Sequence, residues 1–258
     1  VDPAPPLTKR TGQLYAKAAT AYIARREARK SRAPDSVVLG TDLEFIMRRK
    51  NGSILYASRY FSRRGRIGYD QQGSSRVRGA RPIVEIRPAP TSDPLELVER
   101  IRVLLRRAAR RTPKKGVRWE AGSRPVPGYP IGGHIHFSGI DLTTEFLRAL
   151  DNYLSIPLMM LENGKRARAR RPKYGFLGEF RWESYGGFEY RVPSSWIVAP
   201  RFAQATLALA KLIAENYERL NADHFSSEET VRIFYRSDKA AMRSRFEQVW
   251  PQLEALPD

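Results

Sequence analysis

Asp42-Leu43-Glu44-Phe45, Val84-Glu85-Ile86-Arg87, His134-Ile135-His136-Phe137 and Phe188-Glu189-Tyr190-Arg191 share one rhythm, in which an ionisable side chain alternates with an apolar one. A period of two is strand behaviour. Each stretch therefore turns its two ionisable groups to one sheet face and its apolar residues to the other. Two acids, an acid with a base, two histidines and another acid with a base on one face make a polar cleft. Such a cleft suits a divalent metal and an anionic substrate, which points to an enzyme rather than a simple binding module.

Working outward, residues 37–48 read as a strand, and Asn51-Gly52 signals a hairpin into 54–58. Residues 63–79 are rich in Gly, Ser and Arg and read as a mobile loop that contains Asp70. Residues 81–88 form the next strand. Ser92 or Asp93 caps a helix with Pro94 in its first turn, running to about residue 111. Residues 117–121 read as a strand, 142–161 as helix with Pro157 opening a second segment, and 176–184 with 187–192 as a strand pair. Helices over 201–220, 227–236 and 239–253 close the chain. Strands interspersed with helices, many pairing antiparallel, predict an α+β fold: one curved, mostly antiparallel sheet with helices on its outer face. Residues 1–35 read as an extension with a basic helix over 13–30, 36–220 as the main domain, and 221–258 as a helical segment packed on that domain.

Lys and Arg number 46 against 27 Asp and Glu, a formal net charge of +19 over 258 residues. Clustered guanidinium groups grip phosphates, so nucleic acid or another polyanion is one expected partner. The arginines of 102–111 read as a solvated helix exterior. Those of 166–171 read as lying between elements, where they suit a phosphate-bearing cofactor. Cysteine is absent, which excludes disulfides and thiolate–metal sites. No apolar run approaches the roughly 20 residues that span a bilayer. The first residues show no secretory pattern, so a cytoplasmic location is expected, in a bacterial host if the gene is a phage's.

His134 and His136 have a common metal-ligand spacing, and zinc would need a third ligand from Asp42, Glu85 or Glu189. Oxygen-rich ligation with a minority of imidazole suits magnesium or manganese better. Arginine beside such ligands holds carboxylate or phosphate in a bidentate grip. No Gly-x-x-x-x-Gly-Lys-[Ser/Thr] segment occurs, so a P-loop is excluded.

Gly-Thr-Asp-Leu-Glu-Phe (40–45), Glu-Ile-Arg-Pro (85–88), Gly-Gly-His-Ile-His-Phe-Ser (132–138) and Phe-Glu-Tyr-Arg-Val-Pro-Ser-Ser-Trp (188–196) occur in that order. With Pro157-Leu158 to Glu162 and Arg171-Pro172-Lys173-Tyr174-Gly175 through Arg181, they resemble the phage-type carboxylate–amine (COOH-NH2) ligases. Those belong to the glutamine synthetase and glutamate–cysteine ligase superfamily. The resemblance covers residues 37–215 and implies a glutamine synthetase-like catalytic domain, with ATP and two or three Mg2+ or Mn2+ ions on the concave face. It implies that Asp42, His134 and Glu189 hold one ion, and that Glu44 and Glu85, with Asp70, hold another. By the same likeness Arg191 receives the substrate carboxylate or the transferred phosphoryl group. Arg171, Arg181 and Lys173 face the ATP phosphates, and His136 lines the nucleotide side.

The expected reaction follows from the likeness. ATP phosphorylates a small-molecule or peptide carboxylate, and an amine displaces phosphate to give an amide or peptide bond. The loop over 63–79 would serve as a lid that excludes water from the acyl phosphate. The charge makes a polyanionic acceptor a further expectation. Three other readings compete: a non-catalytic polyanion binder, a zinc hydrolase on His134 and His136, and an inactive ligase relative.

Overall fold

The computed structural model describes residues 36–70, 79–113, 115–220 and 227–257, together with Arg10, Gln13, Ala16, Lys17 and Thr20. The chain divides into two units, Val1–Ser36 and Val37–Asp258. In the first, five of the six described residues are helical, Ser36 being the exception, and Thr20 Oγ1 donates to the Ala16 carbonyl at 2.9 Å. The rest of the helix expected over 13–30 lies outside the described residues.

In the second unit, β1 (Val38–Arg49) has strand neighbours on both sides. β2 (Ile54–Leu55) returns from it through the Asn51-Gly52 turn, where Gly52 has a φ of 84° that glycine adopts without strain. β3 (Ile67–Tyr69), β4 (Ile83–Ile86), β5 (Val117–Glu120), β6 (Gly133–Ser138), β7 (Phe180–Trp182) and β8 (Phe188–Tyr190) complete an eight-stranded sheet. Its main order is β3-β4-β1-β6-β8-β7, with β2 and β5 pairing the far end of β1. The pairings are antiparallel throughout. β3 lies inside the segment read from sequence as a loop. A three-residue edge strand amid Gly, Ser and Arg has too short a pattern to stand out. Residues 71–78 of that segment lie outside the described residues, and with them nearly half of the expected lid.

Seven helices accompany the sheet among the described residues. α1 (Pro94–Arg110) starts where the Asp93 carboxylate accepts from the Leu95 and Glu96 amides. α2 (Thr144–Leu150) is capped by Thr143, continues through one wide turn over Asp151–Ser155, and passes into α3 (Ile156–Leu161), where Pro157 needs no amide partner. α4 (Gly164–Arg170) occupies the arginine cluster that the sequence reading placed between elements. The Asn163 side chain caps it through the Arg166 amide at 3.1 Å, and Lys, Arg and Ala are good helix formers. α5 (Pro200–Asn216), α6 (Glu228–Arg236) and α7 (Lys239–Glu254) follow. None of the described helices is long and apolar enough to cross a membrane.

The alternation sorts the two faces. Leu39, Leu43, Phe45 and Met47 of β1 join Val84, Ile86, Ile135, Phe137, Phe188 and Tyr190 in the main core beneath the helices. Phe137 stacks on Phe188 at 5.2 Å between ring centres, and Phe146 of α2 meets both edge-on at 5.3 and 5.7 Å. On the other face Ile46 and Ile83 form a small second cluster with Ile131, and the ionisable side chains of the four stretches share that face. Phe146→Ala is expected to cost about 3–5 kcal/mol through the cavity it leaves. Denaturant unfolding measures this, and a loss below about 1 kcal/mol would contradict the ring cluster as the clamp between sheet and helices.

Candidate active site

Strand register alone brings the ionisable residues together. Glu44 lies opposite Glu85, Asp42 opposite His134, and Gly40 opposite His136. His136 in turn lies opposite Glu189, and Glu189 opposite Arg181. Gly40 matters because a Cβ there would press on the His136 Cβ at 3.3 Å. Gly132 matters more, since a Cβ at that position would collide with His134.

The two histidines differ in what they touch. His134 is buried, with Nδ1 2.7 Å from Glu189 Oε1 and Nε2 2.7 Å from the Tyr174 hydroxyl. Burial holds it below the usual imidazole range despite the opposing pull of Glu189. A neutral ring that donates from Nδ1 to Glu189 accepts the Tyr174 proton at Nε2, so both nitrogens are engaged. His136 has Nδ1 2.8 Å from the Tyr185 hydroxyl, while Nε2 faces Asp42 Oδ2 at 3.3 Å without hydrogen-bond alignment. Burial works to lower its pKa, but the charges of Asp42 and Glu189 outweigh it and the imidazole is raised.

Asp42, His136 and Glu189 each offer one ligand atom, and the three atoms lie within 4.8 Å of one another. His136 Nε2 and Glu189 Oε2 are buried without a hydrogen-bond partner, although Arg181 Nη2 stands 2.8 Å from the latter. Donors across an octahedral magnesium ion stand about 4 Å apart, so small side-chain movements would close this group on a cation. Two carboxylates and one imidazole fit a hard divalent ion. The structure thus puts His136, not His134, in the converging set.

The carboxylates are unequal. Burial opposes the charge on Asp42, but His136, His134 and Arg87 outweigh it and hold the carboxyl below the usual range. Glu189 is likewise lowered: burial is outweighed by His134, Arg191 and Arg181. Glu44 is raised well above it by burial and by the charges of Asp70 and Glu85, against the Gly132 amide that donates to Oε2 at 2.5 Å. Burial and the charge of Asp42 push Glu85 up to about 8 although Arg87 pairs with it. Asp70, at the end of β3, is half-buried and near enough for its charge to act on Glu44 and Glu85.

Two arginines face the basin. Arg181 is half-exposed and bridges Glu183 at 2.9 Å and Glu189 at 2.8 Å. Arg191 lies 3.4 Å from Glu179 and 3.9 Å from Glu189, over the Tyr174 ring, and its Nε is buried without a hydrogen-bond partner. Arg171 does not join them. Its guanidinium packs on the Phe234 ring at 4.1 Å and bonds the Phe234 carbonyl, Ser237 and Glu162. These partners engage the group expected to meet ATP phosphates. Lys173 is exposed on the turn after α4.

Arg170 and Tyr174 had no signal in the sequence beyond their neighbourhood. Arg170 is buried and donates to the carbonyls of Ile131 and Val192 at 2.8 Å and Pro193 at 3.0 Å. It therefore ties the entry to β6 to the exit from β8. Gly175, at a φ of 73°, leaves room for it, since a Cβ there would run into the guanidinium. The Tyr174 hydroxyl, 3.4 Å from Glu44 and 2.7 Å from His134, links the two halves of the basin.

These shifts have a sign. Glu85 binds its proton more tightly folded than unfolded, so its contribution to stability is lost as pH rises from about 4.5 through about 8. In chelator, the melting temperature is expected to fall between pH 6 and 8.5, and Glu85→Gln to flatten that fall. A wild-type melting temperature that is level or rising over this interval would contradict the reading. Arg170→Met, which takes the donor from the Ile131 and Val192 carbonyls while the Pro193 carbonyl keeps the Gly133 amide, is expected to cost more than about 2 kcal/mol. Unfolding measurements check it, and a cost near zero would deny Arg170 its anchoring part.

The profile of the family described as phage phiEco32-like COOH.NH2 ligase-type 2 matches residues 39–258. No curated protein sequence matches the chain. Among solved structures, the chain is similar to a bifunctional glutathione synthetase from Pasteurella multocida at a TM-score of 0.53 and 12% identity. That match covers 92% of this chain and 47% of the synthetase, so the chain spans about half its length. A second similarity is to GmaS solved without ligand, at a TM-score of 0.47 and 13% identity, over 90% of this chain and 72% of that one. At such identity the synthetase likeness bears on the fold alone. The family match takes in β1 from Leu39 onward and every strand that contributes to the basin. On that match, the chain belongs to the phiEco32-like COOH.NH2 ligase-type 2 family.

Proposed function

We propose that this chain joins a carboxylate to an amine at the expense of ATP, through an acyl phosphate, on the ionisable face of the sheet. The observation that carries the reading is the convergence of Asp42, His136 and Glu189 within 4.8 Å, beside Arg181 and Arg191. Acids and guanidinium groups on one partly buried face are the equipment for bringing two anions together.

Asp42, His136 and Glu189 would hold one Mg2+ or Mn2+ ion, and Glu44 and Glu85, with Asp70, a second. Such ions, when bound, neutralise phosphate charge and polarise the phosphoryl oxygens. His134 has a positioning part in this reading: its Nδ1 fixes the Glu189 carboxylate and its Nε2 fixes Tyr174. Arg191 receives the substrate carboxylate and Arg181 the ATP phosphates, with Lys173 at the exposed rim. Screened by these guanidinium groups, a carboxylate oxygen attacks the terminal phosphorus and the bond to ADP breaks. The amine nitrogen then attacks the acyl carbon, phosphate departs with the carbon–oxygen bond's electrons, and the nitrogen loses a proton. A zinc site on both histidines is disfavoured, because both His134 nitrogens already have protein partners.

ATP with Mg2+ or Mn2+ is expected to raise the melting temperature by several degrees, since ligand at a hundred times Kd adds about 2.7 kcal/mol. Asp42→Asn and Glu189→Gln should lose that rise, and zinc alone should not reproduce it. With a panel of carboxylates and hydroxylamine in place of the amine, each hydroxamate formed should accompany one ADP. Glu85→Gln should stop ADP release while leaving the fold intact. No thermal response to ATP plus metal, or full turnover in Glu85→Gln and Glu189→Gln, would contradict the proposal.

A further inference from the structure

The basin accounts for few of the chain's cations, and among the described residues a large group that it leaves over is gathered at one end of the sheet. Arg106, Arg107, Arg110 and Arg111 are exposed on one flank of α1. At 3.6 residues per turn they fall within an arc of roughly 140°. The helix's own acids are occupied further back: Glu96 pairs with Arg100 at 2.6 Å and Glu99 with Arg102 at 2.7 Å. The four arginines beyond them make no ion pair with a described residue.

Topology extends the patch. Thr91 bridges to Leu39 near the start of β1, and Val117 pairs with Arg49 at its end, so the chain enters α1 near one end of β1 and the short segment after α1 reaches the other. The Lys50 amide donates to the Gly116 carbonyl at 3.0 Å, which brings the β1–β2 turn against the segment leaving α1. Arg49, Lys50 and Lys115 are all exposed there. The acid of β5, Glu120, is held by Arg48 at 3.3 Å. Trp119, the one ring on β5, is turned into the core and stacks on Phe45 at 4.6 Å.

We propose that this surface binds the phosphate backbone of double-stranded nucleic acid without reading its sequence. Seven unpaired cations repel one another unless a polyanion lies against them. Arginine's planar fork matches phosphate oxygens. Arg106 and Arg110, and likewise Arg107 and Arg111, are separated by about 6 Å along the helix. That step is on the scale of the distance between successive phosphates of one duplex strand, whose axial rise is roughly 3.4 Å, so neighbouring phosphates can be met. Among the described residues no aromatic ring stands between these cations to stack an unpaired base, which favours a duplex over a single strand. The surface is independent of the ligase chemistry, and neither reading falls with the other.

The test is fluorescence anisotropy of the full chain with a labelled 24-base-pair DNA duplex from about 50 to 300 mM salt. Each phosphate contact contributes about −0.9 to the slope of log affinity against log salt. R106Q/R107Q/R110Q/R111Q should make the slope shallower by about 3 to 4 and weaken binding at least tenfold at the lowest salt. K50Q/K115Q should shift the slope the same way by about 2, which keeps the test open if the quadruple variant folds poorly. R201Q/R219Q/R236Q/R243Q removes the same charge from other exposed sites and should change affinity less than about threefold. Equal losses in the two quadruple variants, no loss in the α1 variant, or tighter binding to polyglutamate or to phosphatidylserine vesicles than to the duplex would overturn the proposal.

Discussion

Everything in the second unit depends on the register of β1. This strand hydrogen-bonds β4 along one edge and β6 along the other, and those partners carry Glu85 and the two histidines. A slip of one residue in either pairing would drive Asp42 and Glu44 into the core and expose Leu43 and Phe45. Two features resist the slip. The apolar face is covered by helices around the Phe137, Phe146 and Phe188 rings, and Arg170 clamps the chain on either side of β6 and β8 from beneath the basin. The ionisable face is therefore a product of the packing on its reverse side.

That packing has an electrostatic consequence. The sheet sets Glu44 opposite Glu85, both buried, within reach of the charges of Asp42 and Asp70. Such carboxylates either hold protons or gather cations. Glu189 and Asp42 are held charged by histidine and arginine neighbours, whereas Glu44 and Glu85 are pushed towards their protonated forms. One basin thus contains a charged pair suited to a cation and a strained pair that a second cation would relieve. Gathering these groups costs stability, which a metal ion and an anionic substrate would offset in the proposed function.

Much of this was legible in the chain itself. Period-two alternation placed β1, β4, β6 and β8 and named the residues that share a face, because pleating is a local property. The Asp93 cap and the Asn51-Gly52 turn were legible for the same reason. Partner choice was not. Arg170 and Arg171 are adjacent and chemically identical, yet a 100° turn of α4 sends one to the carbonyls beneath the basin and the other to Phe234 and Glu162. His134 and His136 share a strand face, and only tertiary neighbours distinguish them: Tyr174 takes one ring, while Asp42 is left facing the other. β3 was missed because three residues carry too little pattern, and α4 because its arginines suggested a ligand before they suggested a helix.

In the proposed function Asp42, His136 and Glu189 converge on one cation. Anomalous scattering from crystals grown with Mn2+ addresses it without any assumption about substrates. A manganese peak bonded to Asp42 Oδ2, His136 Nε2 and Glu189 Oε2 is expected, with His134 still held between Glu189 and Tyr174. Manganese ligated by His134, or bound only to surface carboxylates with this triplet bare at saturating ion, would contradict it.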